Sequence, residues 1–264
     1  MARKRSKRKR HGREKYMLSE QVKIETGVSN IKTMIFLSKF FNKGVVASLG
    51  SPIAKGKEAD LYLAESGQHA KKFGKYVVLK FFRIETSSFF NMSDYILGDP
   101  RFSKISSKKY GIIMTWCKKE YGNLEIAQKA RIDAPRPIMF NGSILAMTFI
   151  GDSESGLPAP MLKDHRLEDP EGTLTTIIKN MGKLYANNLV HGDMSEYNIL
   201  MFQGKPFFID FGQAVMLRHP KADEFLRRDV ENILQYFRKA YSIDRNSAET
   251  FREITSQYQK KRPS

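Results

Sequence analysis

The stretch LVHGDMSEYNILMFQGKPFFIDFGQAV, Leu189 to Val215, constrains this chain more than any other. It sets an Asp (Asp193), an Asn five residues on (Asn198) and a second Asp twelve beyond that (Asp210). Asp193 lies in a turn ahead of the apolar run NIL, placed to orient or deprotonate a nucleophile. Asn198 offers a neutral oxygen to a metal, and Asp210 closes the apolar strand FFID with a hard carboxylate suited to Mg2+. Singly, each reads equally well as a turn-former or helix cap. Together, flanked by HGD and IDFG, they read as a phosphoryl-transfer site, where catalysis is mostly positioning and charge neutralisation.

At 264 residues the chain suits one two-lobed domain or two small ones, and 41% hydrophobic with 28% charged residues is ordinary globular composition. No apolar run approaches the roughly 20 residues a membrane span needs. MARKRSKRKRHGREK has no apolar segment behind its charge, so a secretory signal is not expected and a cytoplasmic location is. One cysteine, Cys117, excludes an internal disulfide and a thiolate-rich zinc site. The net charge of +17 is more informative, with nine of the first fifteen residues Lys or Arg. Such a stretch cannot bury anything by itself and reads as a solubilising or import tail, or as an electrostatic hold on nucleic-acid phosphates.

Along the chain, 1–15 is expected to be a basic disordered tail and 16–44 a helical extension, with IKTMIFLSKFFNKG an amphipathic helix ending at Asn42 or Gly44. VVASLGSPIAKGKEADLYLAES and KYVVLKFFRI read as strands, and PIMFNGSILAMTFIG as a hairpin turning at Asn141-Gly142. Thr86–Lys109 is polar and serine-rich, and Tyr110–Lys129 reads as a helix. The remainder is mostly helical: Thr173–Asn187, Pro220–Ala240 and Ala248–Lys260. A sheet-rich half (45–150) before a helical half (151–264) is an α+β, two-lobed pattern with a cleft between lobes.

HGDMSEYNIL followed by FIDFGQAV resembles the catalytic and metal loops of the RIO family of atypical protein kinases. GKEADLYLA resembles its shortened phosphate loop, and LKFFRIETSSFFNMSDYILGDPRF its lysine strand and following flexible loop. WCKKEYGNL, MTFIGDSESGLPAPMLKD and HPKADEFLRRDVENILQYF resemble its helix-C, hinge and post-metal segments, in the form of the first (type 1) subfamily. The resemblance covers about 45–240 and implies a protein-kinase-like fold without an activation segment or peptide-docking elements. The triplet His-Gly-Asp lacks the Arg of ordinary protein kinases, and Pro220 follows Asp210 within ten residues. No activation loop is left for such an Arg to anchor.

The same resemblance implies roles. Lys80, paired with Glu120, would hold ATP phosphates, with Asp193 catalytic and Asn198 and Asp210 holding Mg2+, Mn2+ being an alternative. Asp210 is also a candidate phospho-acceptor. Ser51, Lys55, Gly56, Lys57 and Glu58 would cover the phosphates. Met147 would precede the hinge, with the backbone of Thr148 and Ile150 meeting the adenine edge, and Ser195 and Glu196 would support the catalytic loop. His191 reads as a buried scaffold rather than a proton shuttle. The implied activity is that of a serine/threonine kinase and ATPase. Its partners would be a precursor small ribosomal subunit with its rRNA, and a protein serine or the chain's own. An archaeal source is expected. Two other readings compete: a small-molecule phosphotransferase of the aminoglycoside or choline kinase type, and a non-catalytic RNA-binding scaffold. The basic character opposes the first, and the complete set Lys80, Glu120, Asp193, Asn198 and Asp210 opposes the second.

Overall fold

The computed structural model describes residues 31–83, 95–102 and 108–259. The basic tail, the extension ahead of Ile31 and most of the Thr86–Lys109 segment therefore lie outside the described residues. Helix α1 (Ile31–Asn42) leads into β1 (Val46–Lys55), β2 (Ala59–Ser66) and β3 (Tyr76–Phe82). Helix α2 (Lys109–Lys129) precedes the hairpin β4 (Pro137–Asn141) and β5 (Ile144–Thr148). These strands form one antiparallel sheet in the order β1-β2-β3-β5-β4.

The side-chain period of two in a strand decides what each face of this sheet meets. Val77, Leu79 and Phe81 of β3, with Ile144 and Ala146 of β5, pack with Leu37 and Phe40 of α1 into one core. Val78 and Phe82, with Leu145 and Met147, turn the other way into the core shared with α2 and the helical half. Lys80 falls between Val78 and Phe82 on that second face, so alternation alone delivers its ammonium to the cleft. The hairpin turns as its Asn-Gly dipeptide predicts. Gly142 has φ +60°, and a Cβ there would meet the Phe36 ring of α1 at 2.2 Å.

The helical half contains α3 (Pro170–Ala186), the short strands β6 (Leu189–Val190), β7 (Ile199–Phe202), β8 (Lys205–Phe208) and β9 (Val215–Met216), then α4 (Ala222–Tyr241) and α5 (Ser247–Gln259). Helix α3 begins three residues before the sequence pattern suggests. Asp169 caps it by accepting the Gly172 amide at 2.9 Å, and Pro170 needs no amide partner at the first turn. Strands β6 and β9 pair, as do β7 and β8, and these two ribbons carry the loops 191–198 and 209–214 to the cleft. Among the described residues no helix is long and apolar enough to cross a membrane.

Candidate active site

Lys80 Nζ sits 2.9 Å from both carboxylate oxygens of Glu120 and 2.9 Å from Oδ1 of Asp210. Lys80 and Glu120 are 7% and 1% exposed, so neither charge could be left unpaired without a large desolvation cost. Burial works against the Lys80 ammonium, but Asp210 and Glu120 outweigh it and hold it charged, above its ordinary range. Burial likewise raises the Asp210 carboxyl, and Lys80, His191 and the Gly212 amide overcome this and hold it below the usual carboxylate range. The Asp210 side chain keeps about half its surface open to the cleft. One strand, one helix and one loop thus meet at a single ammonium.

The loop carrying Asp193 is clamped by α4. Asp229, fully buried, accepts the amides of Gly192 at 2.7 Å and Met194 at 2.9 Å. Arg228 donates through Nη2 to the Gly192 carbonyl at 2.5 Å and to Tyr95 Oη at 3.2 Å. Gly192 has φ +77°, and a Cβ would lie 2.9 Å from the Gln213 carbonyl, which leaves no room for a side chain in the middle of the triplet. His191 is 2% exposed, packs against Phe211 and joins Nε2 to the Ile209 carbonyl at 3.0 Å. Burial lowers its ring to about 4, so it is neutral and acts as a spacer between loops.

Asn198 Nδ2 donates to the Asp193 carbonyl at 2.7 Å and to its Oδ2 at 3.0 Å. Burial, then the nearby Asp210 carboxylate, push Asp193 up to about 6, which leaves it ionised at neutral pH but basic enough to accept a proton. The Glu58 carboxyl is raised by burial and by Asp210 and Asp193, against Lys80, which puts it near the same cluster.

Two residues that sequence reasoning missed hold the loop after Asp210. Lys119 is wholly buried and donates to the carbonyls of Gly212 at 2.8 Å and Ala214 at 2.5 Å. Asn123 Nδ2 donates to the carbonyls of Phe211 at 2.8 Å and Ala214 at 2.9 Å. Arg101, paired with buried Asp99, donates in turn to Asn123 Oδ1. Desolvation lowers Lys119 to about 7. With Trp116 and Asn123 at helical spacing around it, Lys119 stands on the inward stripe of α2, and that spacing is the signal that could have found it.

The remaining expected residues are placed less centrally. Ser51, Lys55, Gly56 and Lys57 are exposed on the β1–β2 hairpin. Met147 pairs with Val78 and faces the same side of the sheet as Lys80. The Thr148 amide donates to the Arg136 carbonyl at 2.9 Å and its hydroxyl accepts the Arg136 amide, so of the Thr148 backbone it is the carbonyl, and not the N–H, that these bonds leave for a ligand. The Ile150 carbonyl accepts the Ala159 amide, while among the described residues its own N–H has no backbone partner. Ser195 and Glu196 line a polar pocket against α4 rather than the Lys80 cluster.

The donor set suits a hard cation that keeps its own water and phosphate ligands. Asn198 turns its amide nitrogen to Asp193, and among the described residues neither Asn198 Oδ1 nor Asp210 Oδ2 takes a hydrogen bond. Among the described residues no three His, Cys, Asp or Glu side chains are grouped as a metal cage. One carboxylate with one neutral oxygen matches the way Mg2+ is held beside phosphates.

The RIO domain family model matches residues 60–251. A RIO-type serine/threonine-protein kinase Rio1 of Haloferax volcanii is 38% identical over 221 residues, covering 84% of this chain and 74% of that protein. One from Thermoplasma acidophilum is 46% identical over 165 residues, covering 62% and 86%. In fold, the chain is similar to a Rio2 kinase-ADP/Mg2+-phosphoaspartate complex from Chaetomium thermophilum, with TM-score 0.64 and 21% identity over 87% of this chain and 70% of that one. The match over most of its length, on a kinase-like α+β fold, makes this chain a member of the RIO family and a phosphotransferase.

Proposed function

We propose that the chain is an ATP- and Mg2+-dependent serine/threonine kinase with ATPase activity that acts in maturation of the small ribosomal subunit. The observation carrying the ATP chemistry is the single ammonium of Lys80 set between buried Glu120 and half-open Asp210. That ammonium is the natural partner of a polyphosphate, and Asp193 is the ionised base beside it. In this reading the chain divides into the tail 1–15, the extension 16–44, an N-lobe with hinge at 45–150 and a C-lobe at 151–264. The backbone of Thr148 (its carbonyl) and of Ile150 (its N–H) meets the adenine edge, Met147 precedes the hinge, and Glu58 with its hairpin covers the phosphates.

Asn198 holds Asp193 by two hydrogen bonds, so the carboxylate is fixed as it takes the proton of a serine hydroxyl. The hydroxyl oxygen forms a bond to the γ-phosphorus while the bond to the β-phosphate bridging oxygen breaks, releasing ADP. Mg2+, held by Asn198 Oδ1 and Asp210, would neutralise charge on the phosphates. The phosphoaspartate in the Chaetomium Rio2 complex supports a second route. Here Asp210 Oδ2 takes the γ-phosphoryl group, ADP leaves, and water then hydrolyses the acyl phosphate.

The ribosomal assignment rests on the family and on the net charge of +17, which nine Lys or Arg against one Glu in the first fifteen residues supply in part and the rest of the chain shares. The test is Mg2+-dependent ATP turnover with and without purified precursor small subunits, beside serine peptides and small-molecule alcohols. Turnover stimulated by the particle and abolished in Asp210→Asn supports the reading. Undiminished turnover in that variant, or preference for a small alcohol, overturns it.

A further inference from the structure

Helix α4 spends one half of its inner face on the catalytic loop. Asp229 takes the Gly192 and Met194 amides, Asn232 Nδ2 donates to the Met194 carbonyl at 3.2 Å, and Tyr236 Oη donates to the Leu162 carbonyl at 3.0 Å. The same face continues through Gln235 to Lys239, at i+3 and i+7 from Asn232, and there the bonding stops. Together with Ser195 and Glu196 these residues line a pocket of about 410 Å3. Its two loop residues follow the catalytic Asp193 by two and three positions. None of the catalytic contacts described above uses the Gln235 amide or the Lys239 ammonium.

The chemistry of the lining selects its occupant. Gln235, Oδ1 of Asn232 (without a hydrogen bond among the described residues) and the Ser195 hydroxyl, which also accepts the Tyr197 amide at 3.4 Å, offer donors and acceptors side by side, as a polypeptide main chain requires. A nucleic-acid backbone would want donors only, whereas this lining also presents acceptors in the amide oxygens of Asn232 and Gln235. The neighbouring charges are already matched. Lys163 pairs with Asp164 at 2.9 Å and also feels Glu196, and Arg238 pairs with Asp244 at 2.8 Å. Among the described residues Lys239 makes no ion pair, and it stands in a chain of net charge +17 whose field favours acidic partners.

Resting on the serine-kinase reading, we infer that this pocket is a substrate-docking site for the polypeptide segment next to the acceptor serine, with Lys239 reading an acidic side chain in it. Ten residues of helix separate Lys239 from Asp229, about 15 Å at 1.5 Å per residue. An extended peptide covers that span in about four or five residues at ~3.3 Å each. The preferred acid therefore stands three to five positions from the serine. The pocket replaces the platform lost with the activation segment.

The experiment uses the full chain, Mg2+ and labelled ATP with serine peptides carrying a single Glu, Gln or Lys at each position up to six residues either side. The preference is read as a ratio within each variant, so changes in overall rate cancel. Expected is about tenfold higher kcat/KM for Glu over Lys at three to five residues on one side of the serine. Lys239→Glu, an exposed change, should invert the ratio, and Gln235→Ala should raise the peptide KM without lowering kcat. Serine labelling with no charge preference, or a preference unmoved in Lys239→Glu, overturns the docking site and leaves the kinase reading standing. ATP turnover with no serine labelled overturns the serine-kinase reading and the docking site with it.

Discussion

The guanidinium of Arg228 donates to the carbonyl of Gly192 across 2.5 Å, although 36 residues separate them in the chain. This bond places an arginine beside Asp193 in a protein whose catalytic triplet has none. The donor comes from a rigid helix instead of the loop itself, so it is held in place without an activation segment. Asp229, the next residue, ties down the amides on either side of Asp193. The loop is thus anchored through its backbone, and its side chains are left for chemistry.

Arg228→Ala should lower ATP turnover about tenfold, a loss of ~1.4 kcal/mol, through an unsatisfied Gly192 carbonyl and a looser Asp193. Arg228→Lys restores a charge on a shorter side chain, without the guanidinium whose Nη2 reaches both the Gly192 carbonyl and Tyr95 Oη, and should recover only part of the rate. Steady-state turnover in the two variants checks this. Equal rates for Arg228→Ala and wild type would remove the anchor from the account.

The pH profile follows from Asp193. Its carboxyl is pushed up to about 6 by burial and by Asp210, and it must be ionised to accept a proton. kcat/KM should therefore rise through about pH 6 and level off above it. His191, lowered to about 4 by burial, stays neutral throughout and adds no second limb near neutrality. A profile measured from pH 5 to 8 at fixed ionic strength tests the assignment; a flat one contradicts it.

Lys80→Met should abolish turnover and leave Glu120 buried without its cation. Burial already raises Glu120 to about 7 while Lys80 opposes the rise. Without Lys80 the folded state holds that proton more tightly than the unfolded chain does, so stability falls as pH increases from about 4.5 through 7 and beyond. Urea denaturation should show a loss approaching ~3 kcal/mol at pH 8 and clearly less at pH 6. The same loss at both values would mean that Glu120 is not the group responsible.

Lys119→Met keeps the length of the side chain and removes its two bonds to the Gly212 and Ala214 carbonyls. Asp210 should then be less well placed, so that the Mg2+ concentration for half-maximal turnover rises severalfold. Hydrogen exchange of the amides at 211–214 should quicken, while the helices far from the loop keep their protection. Unchanged exchange at these amides would show that Asn123 alone suffices.

Much of this protein was legible before any tertiary contact was known. The period-two runs around Lys80, the Asn141-Gly142 turn and the helical patterns of α2 and α4 are local signals, set by side-chain alternation and turn stereochemistry. That Asp193, Asn198 and Asp210 come together was legible because they stand at short spacing on one hairpin-linked stretch. Lys119 and Asn123 were not, because a lysine and an asparagine on a helix usually face water. Only the approach of loop 210–214, some 90 residues away, makes them interior hydrogen-bond donors. Ser195 and Glu196 divide the same way. Their proximity to Asp193 is a matter of sequence, but it is α4 that makes them one wall of a pocket. Local sequence marks which groups are candidates for the chemistry and sets the strand alternation that aims Lys80 inward. Tertiary structure alone decided what holds those groups still, because burial and distant backbone carbonyls turn ordinary polar residues into anchors.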